Sequence, residues 1–278
     1  MNSSDVPDTG SSKTGARPYD DSRAAALPVE LRGISKHYGA LQALRSVSFS
    51  LRSGEIVGLV GDNGAGKSTI VKMLSGVITP SGGSLLLDGK EADLSSPLEA
   101  IASGIETVYQ DLALAPDLSV WANFFLGREL RQSGPRRLIG ALDKRAMIAH
   151  TREEMIKLQI EINDVRTSCR DLSGGQRQAV AVGRAVSWET KVLLMDEPTA
   201  ALGITQTDRV AELARQASDN GLAVMIISHD LPWVRNLCDR VLVLYHGRIT
   251  ASLPGHQSTV EEMVRYITGA AGATYEPQ

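Results

Sequence analysis

The stretch EIVGLVGDNGAGKSTIVKMLSG, residues 55–76, carries the strongest structural signal in this chain. It opens with a continuous apolar run, which is typical of a β-strand buried on both faces. The run leads into GDNGAGKST, residues 61–69, which fits the pattern G-x-x-x-x-G-K-[ST], and the residues that follow are predicted to form a helix. A strand, a glycine-rich loop and a helix in this order predict a loop that binds phosphates.

Each residue type in this loop suits phosphate chemistry. The glycines let successive backbone N–H groups curl around the phosphates, and the positive end of the following helix points at them. Lys67 is expected to reach the outer phosphates, and the Ser68 hydroxyl is expected to bind Mg²⁺. A glycine-rich turn with an unrelated lysine is the alternative, and the agreement between spacing, strand and helix argues against it. The predicted nucleotide-binding residues of the loop are Gly61, Asp62, Asn63, Gly64, Ala65, Gly66, Lys67, Ser68 and Thr69.

Two further apolar runs predict strands of the same buried kind. They are KVLLMDE, residues 191–197, and LAVMIISHD, residues 222–230, and each ends directly in polar residues. Ligands of open α/β sheets bind beyond the carboxyl ends of the strands, so we expect the three strand ends to converge on one place. The sequence therefore predicts an α/β fold of the P-loop NTPase type with a mostly parallel sheet.

Other regions of the chain have different patterns. VSFSLR, residues 47–52, alternates apolar and polar residues, and SLLLDGK, residues 84–90, ends in an Asp-Gly turn, so an antiparallel subsheet is expected near the N-terminus. Residues 111 to about 187 lack buried-strand runs and are predicted to form an inserted helical subdomain. Residues 1–26 are rich in Ser, Asp and Gly, lack the apolar core of a signal peptide, and are predicted to be disordered.

The two acidic residues Asp196 and Glu197 follow the second apolar run. An aspartate there is placed to hold Mg²⁺ through water, and the neighbouring glutamate can orient or deprotonate an attacking water. The alternative is that the acids only cap the next helix ahead of Pro198. His229 ends the third run and is a candidate contact for the γ-phosphate or the nucleophile, although a single histidine at a strand end is commonly an ordinary loop residue.

Composition narrows the class of protein. Charged residues make up 22% of the chain and its net charge is −3, which argues against a nucleic-acid groove. The two cysteines, Cys169 and Cys238, have neither the spacing nor the neighbouring histidines of a zinc site, and a reducing cytoplasm is the simpler expectation. No run of about 18 apolar residues is present, so any membrane role is expected to depend on a partner protein.

These motifs together resemble the nucleotide-binding subunits of ABC transporters, from about residue 29 to residue 268. The phosphate loop corresponds to the Walker A motif, and LLMDE, residues 193–197, resembles Walker B. LSGGQ, residues 172–176, matches the signature motif of the family letter for letter. The resemblance implies ATP and Mg²⁺ as cofactors.

The same resemblance assigns further residues. Gln110 fits the Q-loop, His229 fits the switch histidine, and Tyr38 fits the aromatic residue that stacks on adenine. Alone, the tyrosine reads equally well as an ordinary strand aromatic. The implied catalytic residues are Glu197, His229 and Gln110, and the implied Mg²⁺ ligands are Ser68, Gln110 and Asp196.

The signature stretch raises a physical question, because two glycines are a poor start for a helix. Ser173 and Gln176 can form a capping box, which accounts for a capped helix and not for the glycines. Bare N–H groups at a positive helix end would bind a γ-phosphate, yet the phosphate loop already surrounds the nucleotide from one side. As in the family, we expect two chains to pack head to tail, so that Ser173, Gly174, Gly175 and Gln176 of each chain bind the ATP of its partner.

The resemblance can be narrowed to the branch that imports simple sugars. IETVYQDLALAPDLSVWANFFLGRE, residues 105–129, and DEPTAALG, residues 196–203, are similar to that branch. The branch implies a homodimer with separate membrane permease subunits, an indirect sugar-binding protein, no nucleic acid, and a peripheral position on the cytoplasmic face of the plasma membrane. One departure is Gly203, where many family members carry the D-loop aspartate.

Alternatives remain open at this point. They are a soluble, non-transport ABC ATPase, a regulatory ATP binder without turnover, and an ABC subunit for a different small solute. The predicted division is an ATP-binding domain at 27–270, with its core at 27–110 and 188–270, a helical subdomain at 111–187, and a tail at 271–278. Trp121, Phe124 and Phe125 are the candidate contact with the permease, and a place in the core is the alternative for them.

Overall fold

The computed structural model describes residues 27–132, 140–188, 190–200, 202–272 and 275. The predicted disorder of residues 1–26 lies outside the described residues, as does most of the predicted tail at 271–278. The strands are β1 (Val29–Tyr38), β2 (Leu41–Leu51), β3 (Ile56–Gly61), β4 (Gly82–Leu87), β5 (Lys90–Glu91), β6 (Ile105–Val108), β7 (Val192–Asp196), β8 (Ala223–Ile227), β9 (Arg240–Tyr245) and β10 (Arg248–Pro254). The helices are α1 (Lys67–Leu74), α2 (Pro97–Ala102), α3 (Val120–Phe124), α4 (Lys144–Lys157), α5 (Gly174–Val186), α6 (Ile204–Asp219), α7 (Leu231–Leu237) and α8 (Val260–Ile267).

A six-stranded sheet with the order β10-β9-β3-β8-β7-β6 lies at the centre of the fold. Its strands are parallel except β10, which runs antiparallel to β9. The three predicted apolar runs form β3, β8 and β7, which are direct neighbours, so their carboxyl ends meet at one edge as predicted. Every residue of β8 is buried, which explains its continuous apolar sequence.

Alternate residues of β3 explain why this strand is apolar on both sides. Ile56 and Val60 belong to one hydrophobic cluster, while Val57 and Leu59 belong to the other. Because successive side chains point to opposite faces of a sheet, the strand is covered by a core layer on each face. The predicted α/β architecture is confirmed.

The predicted antiparallel subsheet is also present. It has four strands in the order β2-β1-β4-β5, all paired antiparallel. Val47, Phe49 and Leu51 are buried, and the two serines between them are half-buried, which matches the alternation in the sequence. Asp88 and Gly89 form the turn between β4 and β5.

The described residues between 111 and 187 form α3, α4, α5 and a short 3-10 helix, Cys169–Asp171, and belong to neither sheet. Asn123 is fully buried on α3, and its amide accepts from the backbone N–H of Ala115 (2.7 Å) and donates to the carbonyl of the same residue (2.9 Å). Phe124 and Phe125 are each 1% exposed. The alternative, a place in the core, is thus confirmed for Phe124 and Phe125, which complete the core of this region, while Trp121 is partly buried against it.

Within the described ranges, no helix combines the length and the apolar character needed to cross a membrane.

Candidate nucleotide-binding site

A cleft of about 520 Å³ opens at the edge where β3, β7 and β8 end. It is lined by the phosphate loop, by the end of β1 and the start of β2, by the start of the segment after β6 and by the turn between β9 and β10. Ten of the residues predicted from sequence line it: Tyr38, Asn63, Gly64, Gly66, Lys67, Ser68, Thr69, Gln110, Asp196 and Glu197.

The phosphate loop encloses its own lysine. The Lys67 ammonium donates hydrogen bonds to the carbonyl oxygens of Gly61 (2.7 Å) and Asp62 (3.0 Å). Burial lowers the pKa of Lys67, and the charges of Glu197, Asp62 and Asp196 oppose that change. The lysine is therefore held on the cleft side of the loop, next to the carboxylates at the strand ends.

Glycine is required in this loop for close packing. Gly66 has a φ of 113°, and a Cβ atom there would lie 2.8 Å from the carbonyl oxygen of Ala43. The helix that follows has no side-chain cap and no acidic residue in its first turn. The positive end of α1 is thus left without a side-chain partner, which suits an anionic ligand.

Three residues of the phosphate loop, Gly61, Asp62 and Ala65, do not line the cleft. They support the loop on its side away from the cleft. A Cβ atom at Gly61 would lie 2.3 Å from the carbonyl oxygen of Leu244 on β9, and Ala65 is buried.

Asp196 and Glu197 stand together at the end of β7. Glu197 has a φ of 49°, in the left-handed region that costs a non-glycine residue about 1 to 3 kcal/mol. Its backbone N–H donates to the carbonyl of Ile227 at the end of β8 (2.9 Å), which ties the two strand ends together. Burial raises the pKa of Asp196, the neighbouring charge of Glu197 raises it further, and Lys67 lowers it. The crowding of two carboxylates favours a cation at this point.

The residues expected to hold Mg²⁺ fit that ion. Ser68, Gln110 and Asp196 line the same cleft and offer hydroxyl, amide and carboxylate oxygens. Oxygen ligands are those that Mg²⁺ prefers, and it commonly takes only one or two carboxylates and keeps its remaining positions for phosphates and water.

His229 reaches the site indirectly. It does not line the cleft, and its side chain is 78% exposed. Its Nδ1 atom lies 2.8 Å from Oε2 of Glu197, so the histidine contacts the glutamate that lines the cleft. The structure thus brings together two of the three predicted catalytic residues in one hydrogen bond.

Tyr38 lines the cleft and is 45% exposed. It is the last residue of β1 and pairs with Leu41 across the turn. The ammonium of Lys36 lies 5.5 Å from the centre of its ring. An exposed aromatic ring at this place can stack on a planar base.

The signature residues lie outside this chain's own cleft, as none of them is among the described residues that line it. The predicted capping box is confirmed: Ser173 Oγ accepts from the N–H of Gln176 (3.2 Å), and the Gln176 side chain accepts from the N–H of Ser173 (3.0 Å). The two glycines differ. A Cβ atom at Gly175 would lie 2.4 Å from Cγ of Gln206, whereas one at Gly174 would meet nothing nearer than 3.9 Å.

Packing inside this chain therefore accounts for Gly175 and leaves Gly174 without an internal reason. The same glutamine also lies against the glycine at the D-loop position. A Cβ atom at Gly203 would lie 2.7 Å from Oε1 of Gln206. Gly203 begins α6 without a side-chain cap, and the glutamine three residues later packs against the signature helix.

Sequence reasoning missed several residues of the cleft. Leu41, Gln42, Ala43 and Arg45 come from β2, and His246 comes from the turn between β9 and β10. None belongs to a motif, and β2 and the turn are about 200 residues apart in the chain. No signal in the sequence pairs them.

A second groove, of about 240 Å³, lies on the other side of Gln110. Tyr109 lines this groove and Gln110 lines the nucleotide cleft, so consecutive residues face the two cavities. Arg128 and Glu106 form an ion pair in the groove, and the Arg128 guanidinium lies 5.0 Å from the ring centre of Trp188. Burial raises the pKa of Glu106.

The sheet and the phosphate loop at its carboxyl edge define a nucleotide-binding domain of the P-loop class. The family model for ABC transporters matches residues 44–200, and the chain belongs to this family.

Similar proteins agree with this assignment. The chain is 43% identical over 243 residues to the xylose/arabinose import ATP-binding protein XylG of Sulfolobus acidocaldarius, covering 87% of this chain and 94% of that protein. It is 43% identical over 241 residues to the fructose import ATP-binding protein FrcA of Rhizobium meliloti, covering 86% and 93%. A solved nucleotide-free ATP-binding cassette from an ABC transporter has the same fold, with a TM-score of 0.72 and 24% identity over 87% of this chain and 95% of that one.

Proposed function

We propose that this chain is the ATP-hydrolysing subunit of an importer and that it powers the uptake of a monosaccharide through a separate membrane permease. The observation that carries the proposal is the cleft in which the phosphate loop, Gln110, Asp196 and Glu197 come together. The names of the two import proteins that are 43% identical support the sugar as substrate class.

The geometry suggests a role for each group. Tyr38 stacks on the adenine, the N–H groups of the loop and Lys67 hold the phosphates, and Mg²⁺ bound by Ser68, Gln110 and Asp196 would offset their negative charge. The Glu197 carboxylate accepts a proton from the attacking water. His229, bonded to that carboxylate, orients it toward the attacking water.

A head-to-tail homodimer accounts for the signature helix. Its capped start is built as an anion-binding end, and among the described residues a Cβ atom at Gly174 would meet only Leu202, at 3.9 Å. Packed over the ATP of a partner chain, the helix would add its N–H groups to the exposed face of the γ-phosphate. Each dimer would then have two composite sites.

The groove beside Tyr109 is the proposed docking site of the permease. Because Tyr109 and Gln110 are consecutive, a shift of Gln110 upon nucleotide binding would move the groove as well. The proposed division into a core at 27–110 and 188–270 and a helical subdomain at 111–187 puts this groove at the boundary between them. The permease would hold the dimer on the cytoplasmic face of the plasma membrane, and a sugar-binding protein would act on the other side.

The proposal is tested by uptake in cells. Deleting the gene should abolish the import of one labelled monosaccharide among xylose, ribose and fructose, and leave amino-acid uptake unchanged. Wild-type protein should restore uptake, whereas Glu197→Gln should not. Purification of the tagged chain from membranes should also recover a multi-span protein. Unchanged uptake of every monosaccharide, together with a chain found only in the soluble fraction, would favour a non-transport ABC ATPase instead.

A further inference from the structure

Arg45 is a cation in the nucleotide cleft that belongs to none of the sequence motifs. It lies on β2 and lines the cleft together with Leu41 and Ala43, which precede it at two-residue steps. The pairing of β2 with β1 shifts register between Leu44 and Gln42, and Gln42 lines the cleft as well, so this irregular part of β2 faces the cleft with several consecutive residues. Leu44, between Ala43 and Arg45, is fully buried.

The backbone holds Arg45 next to the phosphate loop. Its N–H donates to the carbonyl of Gly247 (2.7 Å), and the N–H of Gly247 donates to the carbonyl of Ala65 in the loop (2.9 Å). Both bonds are made by main-chain atoms. A substitution of the Arg45 side chain therefore leaves this link to the loop intact.

Among the described residues, the Arg45 guanidinium makes no ion pair and no side-chain hydrogen bond, and the residue is exposed. Other arginines of the chain pair with carboxylates, such as Arg32 with Glu30 and Arg209 with Glu212. An arginine offers a fork of N–H donors that matches phosphate oxygens, and an unpaired one in a cleft for a polyanion is placed to bind it.

We propose that Arg45 binds the phosphate next to the ribose, an assignment that rests on the proposed function. Leu41 pairs with Tyr38 at the base end of the cleft, and Arg45 lies four residues further along β2, where Gly247 links it to the phosphate loop. Lys67 and the carboxylates at the strand ends occupy the part of the cleft that receives the outer phosphates. The inner phosphate is the anion left for Arg45.

The test compares Arg45→Gln with Arg248→Gln. Arg248 is exposed on β10, two residues after His246, and does not line the cleft, so its substitution removes the same charge from the same region. Binding of ATP, ADP and GTP to the purified chain is measured by competition with a fluorescent nucleotide. For Arg45→Gln we expect ATP and ADP to bind about five- to tenfold more weakly by the same factor, because both carry the inner phosphate.

Three further results are expected from the same proposal. The preference for ATP over GTP stays unchanged, KM for ATP rises while kcat is retained, and Arg45→Lys recovers part of the affinity. Arg248→Gln binds all three nucleotides as the wild type does.

Other outcomes overturn the proposal. If Arg45→Gln binds ATP and ADP as tightly as Arg248→Gln and the wild type do, Arg45 does not bind the nucleotide. A loss confined to ATP would assign it to the γ-phosphate, and a changed preference between ATP and GTP would assign it to the base. Lys67→Ala tests the proposed function separately: if that variant binds and hydrolyses ATP normally, the phosphate loop is misassigned whatever Arg45 does.

Discussion

The Nδ1 atom of His229 lies 2.8 Å from Oε2 of Glu197, although the two residues are 32 positions apart and end different strands. β7 and β8 are direct neighbours in the parallel sheet, and the N–H of Glu197 donates to the carbonyl of Ile227, two residues before His229. The pairing of the strands thus creates the contact between the two predicted catalytic side chains.

Glu197→Gln keeps the shape and the hydrogen bond to His229 and removes the carboxylate charge. We expect ATP to bind normally and hydrolysis to fall by about 100-fold or more, because a general base contributes that much. His229→Ala should lower hydrolysis while leaving ATP affinity unchanged. Phosphate release by the purified protein is the measurement, and Glu212→Gln, a paired glutamate outside the cleft, is the control. Hydrolysis at the wild-type rate in Glu197→Gln would mean that the base lies elsewhere.

Tyr38→Ala removes the exposed ring at the base end of the cleft. Loss of stacking should weaken ATP binding by about 1 to 3 kcal/mol and change the maximal rate little. Tyr38→Phe keeps the ring and should retain the affinity, which separates stacking from the phenol oxygen. Equilibrium binding of ATP measures both, and an unchanged affinity in Tyr38→Ala would refute the role of the ring.

Asp196→Asn should stabilise the nucleotide-free protein. Burial and the charge of Glu197 raise the pKa of Asp196 in the fold, so its ionised form is less favourable there than in the unfolded chain. This destabilisation is complete above the folded pKa, shrinks as pH falls through it, and is absent below the unfolded value. The variant should therefore melt at a higher temperature than the wild type at pH 8, by a margin that narrows as the pH falls through the folded pKa.

Calorimetry over this pH range measures the difference. Asp117→Asn, at an exposed position paired with Arg170, is the control and should change the melting temperature little. The same Asp196→Asn protein should lose Mg²⁺-dependent hydrolysis. A lower melting temperature at pH 8 would contradict the electrostatic argument.

Mixing two inactive variants tests the head-to-tail dimer. Lys67→Ala and Gly174→Asp should each be inactive alone, because every composite site then carries a lesion. A mixed dimer has both lesions in one site and leaves the other intact, so ATP-dependent cross-linking should return. If each helix served the nucleotide of its own chain, every site would keep one lesion and mixing would restore nothing.

Gly174→Asp is suited to this test because it should fold. A Cβ atom at this position meets nothing nearer than 3.9 Å, and a carboxylate in the first turn of a helix is favourable for the helix dipole. Its melting temperature should match or exceed that of the wild type, so lost activity cannot be attributed to unfolding.

Asn123→Ala should destabilise the helical region. The buried amide satisfies both the N–H and the carbonyl of Ala115, and alanine would leave these partly buried groups unpaired. We expect a loss of about 3 kcal/mol in the free energy of unfolding, measured by urea denaturation. Asn163→Ala, at an exposed position, should have little effect. Equal stability of both variants would show that the hydrogen bonds between Asn123 and Ala115 do not stabilise the helical region.

Much of the fold and of the site could be predicted from the sequence, because these features depend on local chemistry. The phosphate loop needs its glycines and lysine at fixed spacing, a strand buried on both faces must be apolar throughout, and a helix start with Ser173 and Gln176 caps itself. Each of these patterns concerns neighbours along the chain, so β3, β7, β8 and the capping box could be predicted without coordinates.

Such patterns could not predict contacts between distant segments of the chain. Arg45 and His246 come from opposite ends of the chain and meet at the cleft because Gly247 bonds both β2 and the phosphate loop. The sequence made Phe124 and Phe125 candidates for a contact with the permease, yet both are buried in the core to which α4 and α5 contribute. Gly203 departs from the pattern of its family, and only the structure shows that Gln206 lies against both Gly203 and Gly175. Burial and close approach depend on which segments meet in space, and that follows from the packing of the whole chain.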